Sequence, residues 1–586
     1  MTRTRQAASP PAARGPAGLA LRAGGRLPNP WDIAAMLVVF GALVAIARVA
    51  AGTLLPIAAP RALAVHLDPA YLPGYAVRTT LRMFAALAAS LLFTFTYATG
   101  AAKSRRAARV LVPLLDILQS VPILGFLTFT VVFFMNLFPG QVLGLELAAV
   151  FAIFTSQAWN MAFSLYQSLR TVPADLEEAA RSFRLTGWQK FWRLEVPFAI
   201  PGLVWNTMMS MSGGWFFVVA SEAITVGNRS WQLPGIGSYV ALALEKRDLP
   251  AVGWAIATML VVILLYDQIL FRPLVAWSDR FRFETTAAAP IEDPWLLRLV
   301  RRTDLLRRLG DALGEAARAL TGLPLALPVR RREGPARAAS RVADGLWLGA
   351  LLVVLGFGLR WILGFLAGSL TWAEVPHVLL LGVYTLIRVL VLIVLASLIW
   401  VPIGVAIGLR PVWARRVQPL VQFLAAFPAN LLFPPVVLFI VYDKLNPDIW
   451  LSPLMILGTQ WYILFNVIAG AAAFPGDLRE AAASFGLRGR LWWLRVMLPG
   501  IFPYYVTGAI TASGGAWNAA IVAEVASWGP TTLTARGLGA YIATATTQGN
   551  MAHVVLGVAV MSGFVVLFNR LLWRPMYEYA ARRLTF

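Results

Sequence analysis

Apolar stretches long enough to cross a bilayer recur along the whole chain, and nothing else in the sequence limits the fold as strongly. They lie near 32–51, 76–98, 110–136, 143–167, 198–223 and 252–275, and again near 346–367, 381–408, 418–441, 450–469, 500–523 and 552–569. At 1.5 Å per residue, about 20 such residues span a hydrocarbon core ~30 Å thick as a helix. The expected fold is all-α: a polytopic membrane protein of about 12 transmembrane helices, six in each half. Composition agrees, since 59% of the 586 residues are hydrophobic and only 13% are charged, about half the share in soluble domains.

The charges orient the spans. The chain carries 50 Lys and Arg against 28 Asp and Glu, a net +22. If the N-terminus is cytoplasmic, 38 of the 50 basic residues fall in 1–30, 99–109, 168–195, 276–345, 409–417, 470–498 and 570–586. Only 6 fall in the segments between these, 52–75, 137–142, 224–251, 368–380, 442–449 and 524–551. That bias follows the positive-inside rule and predicts cytoplasmic N- and C-termini. The basic excess is therefore a loop feature; no nucleic-acid-binding motif accompanies it, and no nucleic acid partner is expected. Residues 1–30, rich in Arg, Pro, Ala and Gly, read as a disordered cytoplasmic tail without the apolar run and cleavage site of a signal peptide.

The same inventory excludes several chemistries. With no cysteine, disulfides, thiolate zinc sites and thiol nucleophiles are ruled out. His66, His377 and His553 are far apart in sequence, so no metal site is expected. No G-x-x-x-x-G-K-[ST], H-E-x-x-H or G-x-S-x-G occurs. No catalytic residue is assigned, and the chain is not expected to be an enzyme or to bind a cofactor of its own.

The chain is also a duplication. At an offset of 302, Pro173, Glu178, Ala179, Ala180, Ser182, Phe183, Gly187 and Pro197 match Pro475, Glu480, Ala481, Ala482, Ser484, Phe485, Gly489 and Pro499. The same offset pairs Trp215 with Trp517, Glu222 with Glu524, and Gly235 and Gly237 with Gly537 and Gly539. Nearer the start of each half the offset is 306, pairing Arg82 with Arg388, Pro113 with Pro419 and Pro122 with Pro428. Two copies, each with an even number of spans, predict parallel repeats related by a pseudo-two-fold axis along the membrane normal.

The sharpest motif lies between the fourth and fifth spans of each half: VPADLEEAARSFRLTGWQKFWRLEVPFAIP and FPGDLREAAASFGLRGRLWWLRVMLPGIFP. Each begins with Pro173 or Pro475, suited to a helix start, followed by acids that complement the helix dipole. The alanine pair gives a slim face able to fit a groove. This pattern resembles the EAA loop of binding-protein-dependent ABC-importer permeases. Through VASEA…GIGSYV and IVAEV…GLGAYI, each half also resembles their nitrate/sulfonate/taurine branch, and the whole resembles a fused, duplicated anion permease. The resemblance covers about 80–270 and 385–575, which makes 31–275 and 346–586 the two permease domains.

The resemblance implies a subunit that moves a small solute inward by alternating access, an anion such as sulfonate, nitrate, taurine or bicarbonate. It implies a separate ABC ATPase homodimer at the cytoplasmic face, which holds ATP and Mg, and an extracytoplasmic solute-binding protein. It places the chain in the bacterial inner membrane. Carried over, Glu178, Ala179, Ala180, Glu480, Ala481 and Ala482 would couple to the ATPases, and Gly187, Gly486 and Gly489 would shape the turns. The first copy departs at Arg184, where the second has Gly486, leaving Gly187 as the substitute. The alternative class is an ATP-independent channel or secondary transporter.

Residues in the spans supply candidates for the solute pathway. Arg82 and Arg388 are costly in lipid, and are either a lure for an anion or structural groups paired with carboxylates. Asn206 and Ser210, and Thr507 and Thr511, repeat at i, i+4 on one helical face, to line a path or to bond neighbouring helices. Glu222 and Glu524 end the fifth spans near the outer side; Trp215 and Trp517 are candidates for an outer gate or for packing. The linker 276–345 has 13 Arg and no Lys. Its segment 295–320 has the pattern of an amphipathic helix on anionic inner-leaflet lipid, or else forms a partly ordered tether.

Overall fold

The structure, a computed structural model, describes residues 30–58, 63–226, 229–281, 295–296, 302–325, 338–427, 429–528 and 531–583. The expected tail, Pro428 and much of the linker lie outside the described residues.

The first half runs α1 (Pro30–Thr53), α2 (Leu72–Lys103), α3 (Arg105–Ser120), α4 (Ile123–Leu137), α5 (Val142–Arg170), α6 (Ala174–Ser182), α7 (Gly187–Lys190) and α8 (Val196–Glu222). A hairpin, β1 (Ala223–Val226) with β2 (Arg229–Gln232), then leads to α9 (Ile236–Glu245), α10 (Leu249–Tyr266) and α11 (Arg272–Ser278). The linker contributes α12 (Asp304–Gly322). The second half repeats the order with α13 (Ala338–Ser369), α14 (Glu374–Gly408), α15 (Pro411–Ala426), α16 (Phe433–Tyr442), α17 (Pro447–Trp450), α18 (Pro453–Leu457) and α19 (Gln460–Ala472). It continues with α20 (Gly476–Ser484), α21 (Gly489–Trp492), α22 (Leu498–Ala523), the hairpin β3 (Val525–Trp528) with β4 (Thr531–Thr534), α23 (Leu538–Gln548), α24 (Met551–Phe568) and α25 (Arg574–Arg583).

The all-α expectation holds, with two short hairpins added at equivalent places. Seven helical stretches are long and apolar enough to cross a membrane, or eight with the bent 447–472 pair. Three expected spans are not single straight helices. The third span of the first half breaks between α3 and α4 because Val121 precedes Pro122, and proline's Cδ drives the residue before it out of the helical region (φ −76°, ψ 125°). In the second half the helix stops at Phe427 (φ −69°, ψ 125°), again just before a proline in the sequence. The fourth span of that half bends by 43° between α18 and α19, where α5 of the first half is continuous. Pro447 and Pro453 open α17 and α18 and supply no backbone donor, and the bend follows at Gly458.

The duplication extends to helix defects. Wide, π-type turns occur at Phe191–Glu195 and Asp267–Phe271, and 302 residues later at Trp493–Met497 and Asn569–Trp573. Each ends two residues before a proline (Pro197, Pro273, Pro499 or Pro575). A proline inside a helix lacks the N–H for its bond and clashes with the carbonyl four residues back; a wider turn accommodates both.

α5 is the centre of its half, with α2 and α8 packed on it; α19 holds α14 and α22 in the same way. The halves exchange their third segments. α3 and α4 pack on α24 of the second half, and α15 packs on α8 and α10 of the first. That reciprocity is the mark of a two-fold interface. Ile123 N donates to Asn518 Oδ1 across it (2.6 Å), and Trp205 stacks on Phe465 with ring centroids 4.9 Å apart. The spans of α1 and α13 are the exception: none of their apolar window is buried in protein, which leaves them facing lipid.

Candidate functional site

The two EAA segments fold alike. Pro173 and Pro475 cap nine-residue helices, α6 and α20, and each helix buries one alanine, Ala180 or Ala482. Glu178 and Glu480 lie on these helices beside the alanine pairs Ala179–Ala180 and Ala481–Ala482. Each helix closes with the same bonds. Leu185 N donates to Ala180 O (3.1 Å) and Arg184 N to Arg181 O (2.9 Å); Leu487 N donates to Ala482 O and Gly486 N to Ala483 O (both 3.0 Å). This is a Schellman ending, which needs a left-handed residue. Gly486 supplies it at φ 66°, and Arg184 at φ 52°. Gly187 is therefore not the substitute: it starts α7 inside a capping box made by Thr186 and Gln189. Gly489 is left-handed as well, at φ 54°.

Sequence reading missed a pair of aromatic knobs. Phe183 and Phe485, one residue past each helix, are 78% and 82% exposed. The repeat pairs them, so the signal was present, but only the Schellman turn puts both rings in the open.

Among the described residues, charge cross-braces the first loop. Lys190 Nζ reaches Glu177 (2.8 Å) and Glu195 (3.4 Å), and Lys103 at the end of α2 also pairs with Glu195. Partial burial works to raise the Glu177 carboxyl, but Lys190, with Arg181 and Lys103 behind it, holds it below its ordinary 4.5. In the second copy Glu177, Lys190 and Glu195 are replaced by Arg479, Trp492 and Met497, so this brace has no counterpart there.

At the opposite ends of the bundle, Arg82 and Arg388 close a clamp in each half. Arg82 Nε and Nη2 donate to Glu146 (2.6 and 2.7 Å), and Nη1 donates to Glu222 (2.6 Å) and to Pro234 O (3.1 Å). Glu222 also accepts from Thr79 Oγ1 (2.7 Å) and Gly237 N (2.7 Å), while its backbone carbonyl accepts from Leu233 N (2.8 Å). The second half repeats the design: Glu524 accepts from Arg388 Nη1 (3.0 Å), Thr385 Oγ1 (2.8 Å) and Ala540 N (3.0 Å), and Arg388 Nη2 reaches Asp448 (3.3 Å). In the first half the clamp ties α2 to the start of α5, the end of α8 and the strand-to-helix turn. The G-x-G pairs make it possible. A Cβ on Gly235 or Gly537 would overlap the Glu222 or Glu524 carboxylate, and one on Gly237 would stand 2.7 Å from Val219 Cα.

Glu146 and Asp448 were not singled out from sequence, although an offset of 302 pairs them; an Asp–Glu exchange hid the match. The two clamps differ in exposure. Arg82 and Glu146 side chains are 4% and 9% exposed and their counterparts Arg388 and Asp448 12% and 22%, whereas Glu222 and Glu524 are alike at 0% and 2%. Asp448 is shared with Arg536, whose side chain is 75% exposed.

The remaining pathway candidates lie on α8 and α22. Trp215 and Trp517 are buried in apolar clusters, beside Tyr266 and Phe564 respectively. Asn206 donates to Ser164 Oγ on α5 and to Gly202 O (both 3.0 Å). Ser210 is buried. Thr507 and Thr511 return their hydroxyls to their own helix, at Pro503 O and Thr507 O (both 3.0 Å).

Comparison with known proteins follows this repeated architecture. Over 176 residues the chain is 26% identical to the bicarbonate transport system permease protein CmpB of Synechocystis sp., covering 30% of this chain and 60% of that one. It is 27% identical over 184 residues to the nitrate import permease protein NrtB of Leptolyngbya laminosa (31% and 62%). It is 29% identical over 165 residues to the glycine betaine/proline betaine transport system permease protein ProW of Escherichia coli (28% and 42%). The chain thus spans about 60% of the length of the first two relatives. Residues 90–275 and 399–584 each match the family described as the binding-protein-dependent transport system inner membrane component. Its two halves each carrying that domain, the chain belongs to this family of membrane permease components.

Proposed function

We propose that the chain is the fused membrane subunit of an ATP-driven importer. It moves a small anion inward by alternating access, and bicarbonate, nitrate, sulfonate and taurine are the leading solutes. The two-sided build of α6 and α20 carries this reading: equal helices, equal Schellman ends and an exposed phenylalanine on each. A pair of ATPase subunits presents two grooves, and two matched helices with slim alanine faces suit them. ATP-driven closure of that pair would draw the loops together and bias the bundle between two conformations, as a population shift requires. ATP and Mg belong to the ATPase pair, and an extracytoplasmic binding protein delivers the solute. The charge bias supports a cytoplasmic side for the loops, both termini and the linker, and an outer side for the clamps. The names of two relatives, for bicarbonate and nitrate, support the anion class.

The test is reconstitution with the cognate ATPase. Glu178→Lys with Glu480→Lys, and separately Phe183→Asp with Phe485→Asp, should abolish ATPase co-purification and solute uptake. Retention of both in either double variant would refute the docking role.

A further inference from the structure

From Arg307 to Leu320 the linker helix α12 (Asp304–Gly322) is exposed nearly all round, yet it is not loose. Its C-terminal end is gripped by the first EAA loop. Trp188 Nε1 donates to Leu320 O and Gln189 Nε2 to Gly322 O, both at 2.8 Å, and Trp188 N donates to Leu325 O (3.3 Å). α12 also touches α1, a lipid-facing span. The helix therefore sits at the level where the first loop meets the bilayer.

Its free face is apolar. Leu309, Leu313 and Leu320 are 55%, 62% and 60% exposed. At 100° per residue they fall within a stripe roughly 40° wide, and Arg318 lies on the opposite side. Arginines crowd both flanks: Arg298, Arg301, Arg302, Arg307 and Arg308 in sequence at one end, and Arg330, Arg331 and Arg332 beyond the other. A leucine stripe held beside a membrane span and flanked by arginine is complementary to a leaflet of anionic lipid.

We propose that α12 is a membrane-surface strut: its leucine stripe lies in the anionic inner leaflet, and its C-terminal end holds the first EAA loop to that surface. Among the described residues no linker segment holds α20 in this way. The two loops are matched in their helices and unmatched in their anchorage.

The absence of cysteine makes the test direct. Full-length Leu313→Cys and Arg318→Cys, each labelled with an environment-sensitive fluorophore, are placed in nanodiscs of phosphatidylcholine with about 30% phosphatidylglycerol, or of phosphatidylcholine alone. Lipids carrying a nitroxide on the acyl chain serve as quenchers. In the anionic discs the label at 313 should emit to the blue and be quenched severalfold more than the label at 318. The difference should shrink in neutral discs and in 1 M salt, where the Debye length falls to ~3 Å. Equal quenching at 313 and 318 in anionic discs would overturn the strut. So would a buried, unquenched label at 313, which would mean a protein contact. Quenching that ignores lipid charge would overturn the anionic assignment. These readouts need no ATPase, so they stand or fall apart from the docking reading.

Discussion

Replacing Arg82 by methionine should be among the most damaging single changes available in this protein. The substitution keeps the apolar stem but leaves Glu146 and Glu222 buried without a counter-charge, after losing contacts of 2.6, 2.7 and 2.6 Å. Breaking a buried ion pair by deleting one partner costs about 3–5 kcal/mol, chiefly the penalty of the stranded charge. A half of this protein is close to 250 residues, a size at which each kcal/mol moves Tm by roughly 2–4 °C. Arg82→Met should therefore melt roughly 6–20 °C below the parent in detergent, read by loss of a monodisperse elution peak after heating. Arg388→Met strands one buried carboxylate, Glu524, instead of two, and should cost about 3 kcal/mol, the low end of that range, because Asp448 keeps Arg536. The combination Arg82→Met, Glu146→Gln, Glu222→Gln should recover much of the loss, since no charge is then left buried. If Arg82→Met melts with the parent, or if the triple variant is worse than the single, the clamp is not the electrostatic knot described.

Further expectations concern the glycines and the first EAA loop. Gly235→Ala and Gly537→Ala each force a methyl onto a carboxylate and should lower Tm in the same assay, while Gly253→Ala, with open space at its Cβ, should not. Arg184→Gly should stabilise the first loop by about 1 kcal/mol by relieving a left-handed arginine, and Gly486→Ala should cost a similar amount in the second; protection of the loop amides from hydrogen exchange reads both. Because the Glu177 carboxyl is held below 4.5, its tie to Lys190 is fully present above that pH and is lost as pH falls through the lowered value. A spin label at Ser182→Cys should thus be pH-insensitive above 4.5 and gain mobility below it, and adding Glu177→Gln should leave it mobile throughout.

Spans, duplication and the EAA segments were legible in sequence because each rests on local or periodic information. Apolar length reports a bilayer crossing, a fixed offset reports the repeat, and Pro, acid and the alanine pair report a short helix. Even the break at Pro122 carried a local sign, since a proline constrains the residue before it. The clamps were legible only in part: Arg82, Glu222, Gly235 and Gly237 stood out, but not the acid at 146 that completes the set, which is 64 residues from its partner. Which residues meet is a long-range matter, decided when α2, α5 and α8 pack on one another.

By itself, then, the sequence determined how many crossings to expect, that they come in two copies, and which segments carry the EAA pattern; hydrophobic length and chain repetition need no knowledge of contacts. The tertiary structure alone decided that Arg82 and Arg388 are taken up by carboxylates within their own halves, that Arg184 takes the turn a glycine would, and that the linker helix is fastened to the first loop. Those outcomes depend on side chains brought together from distant places, where burial makes a pairing compulsory and one extra carbon atom can forbid it.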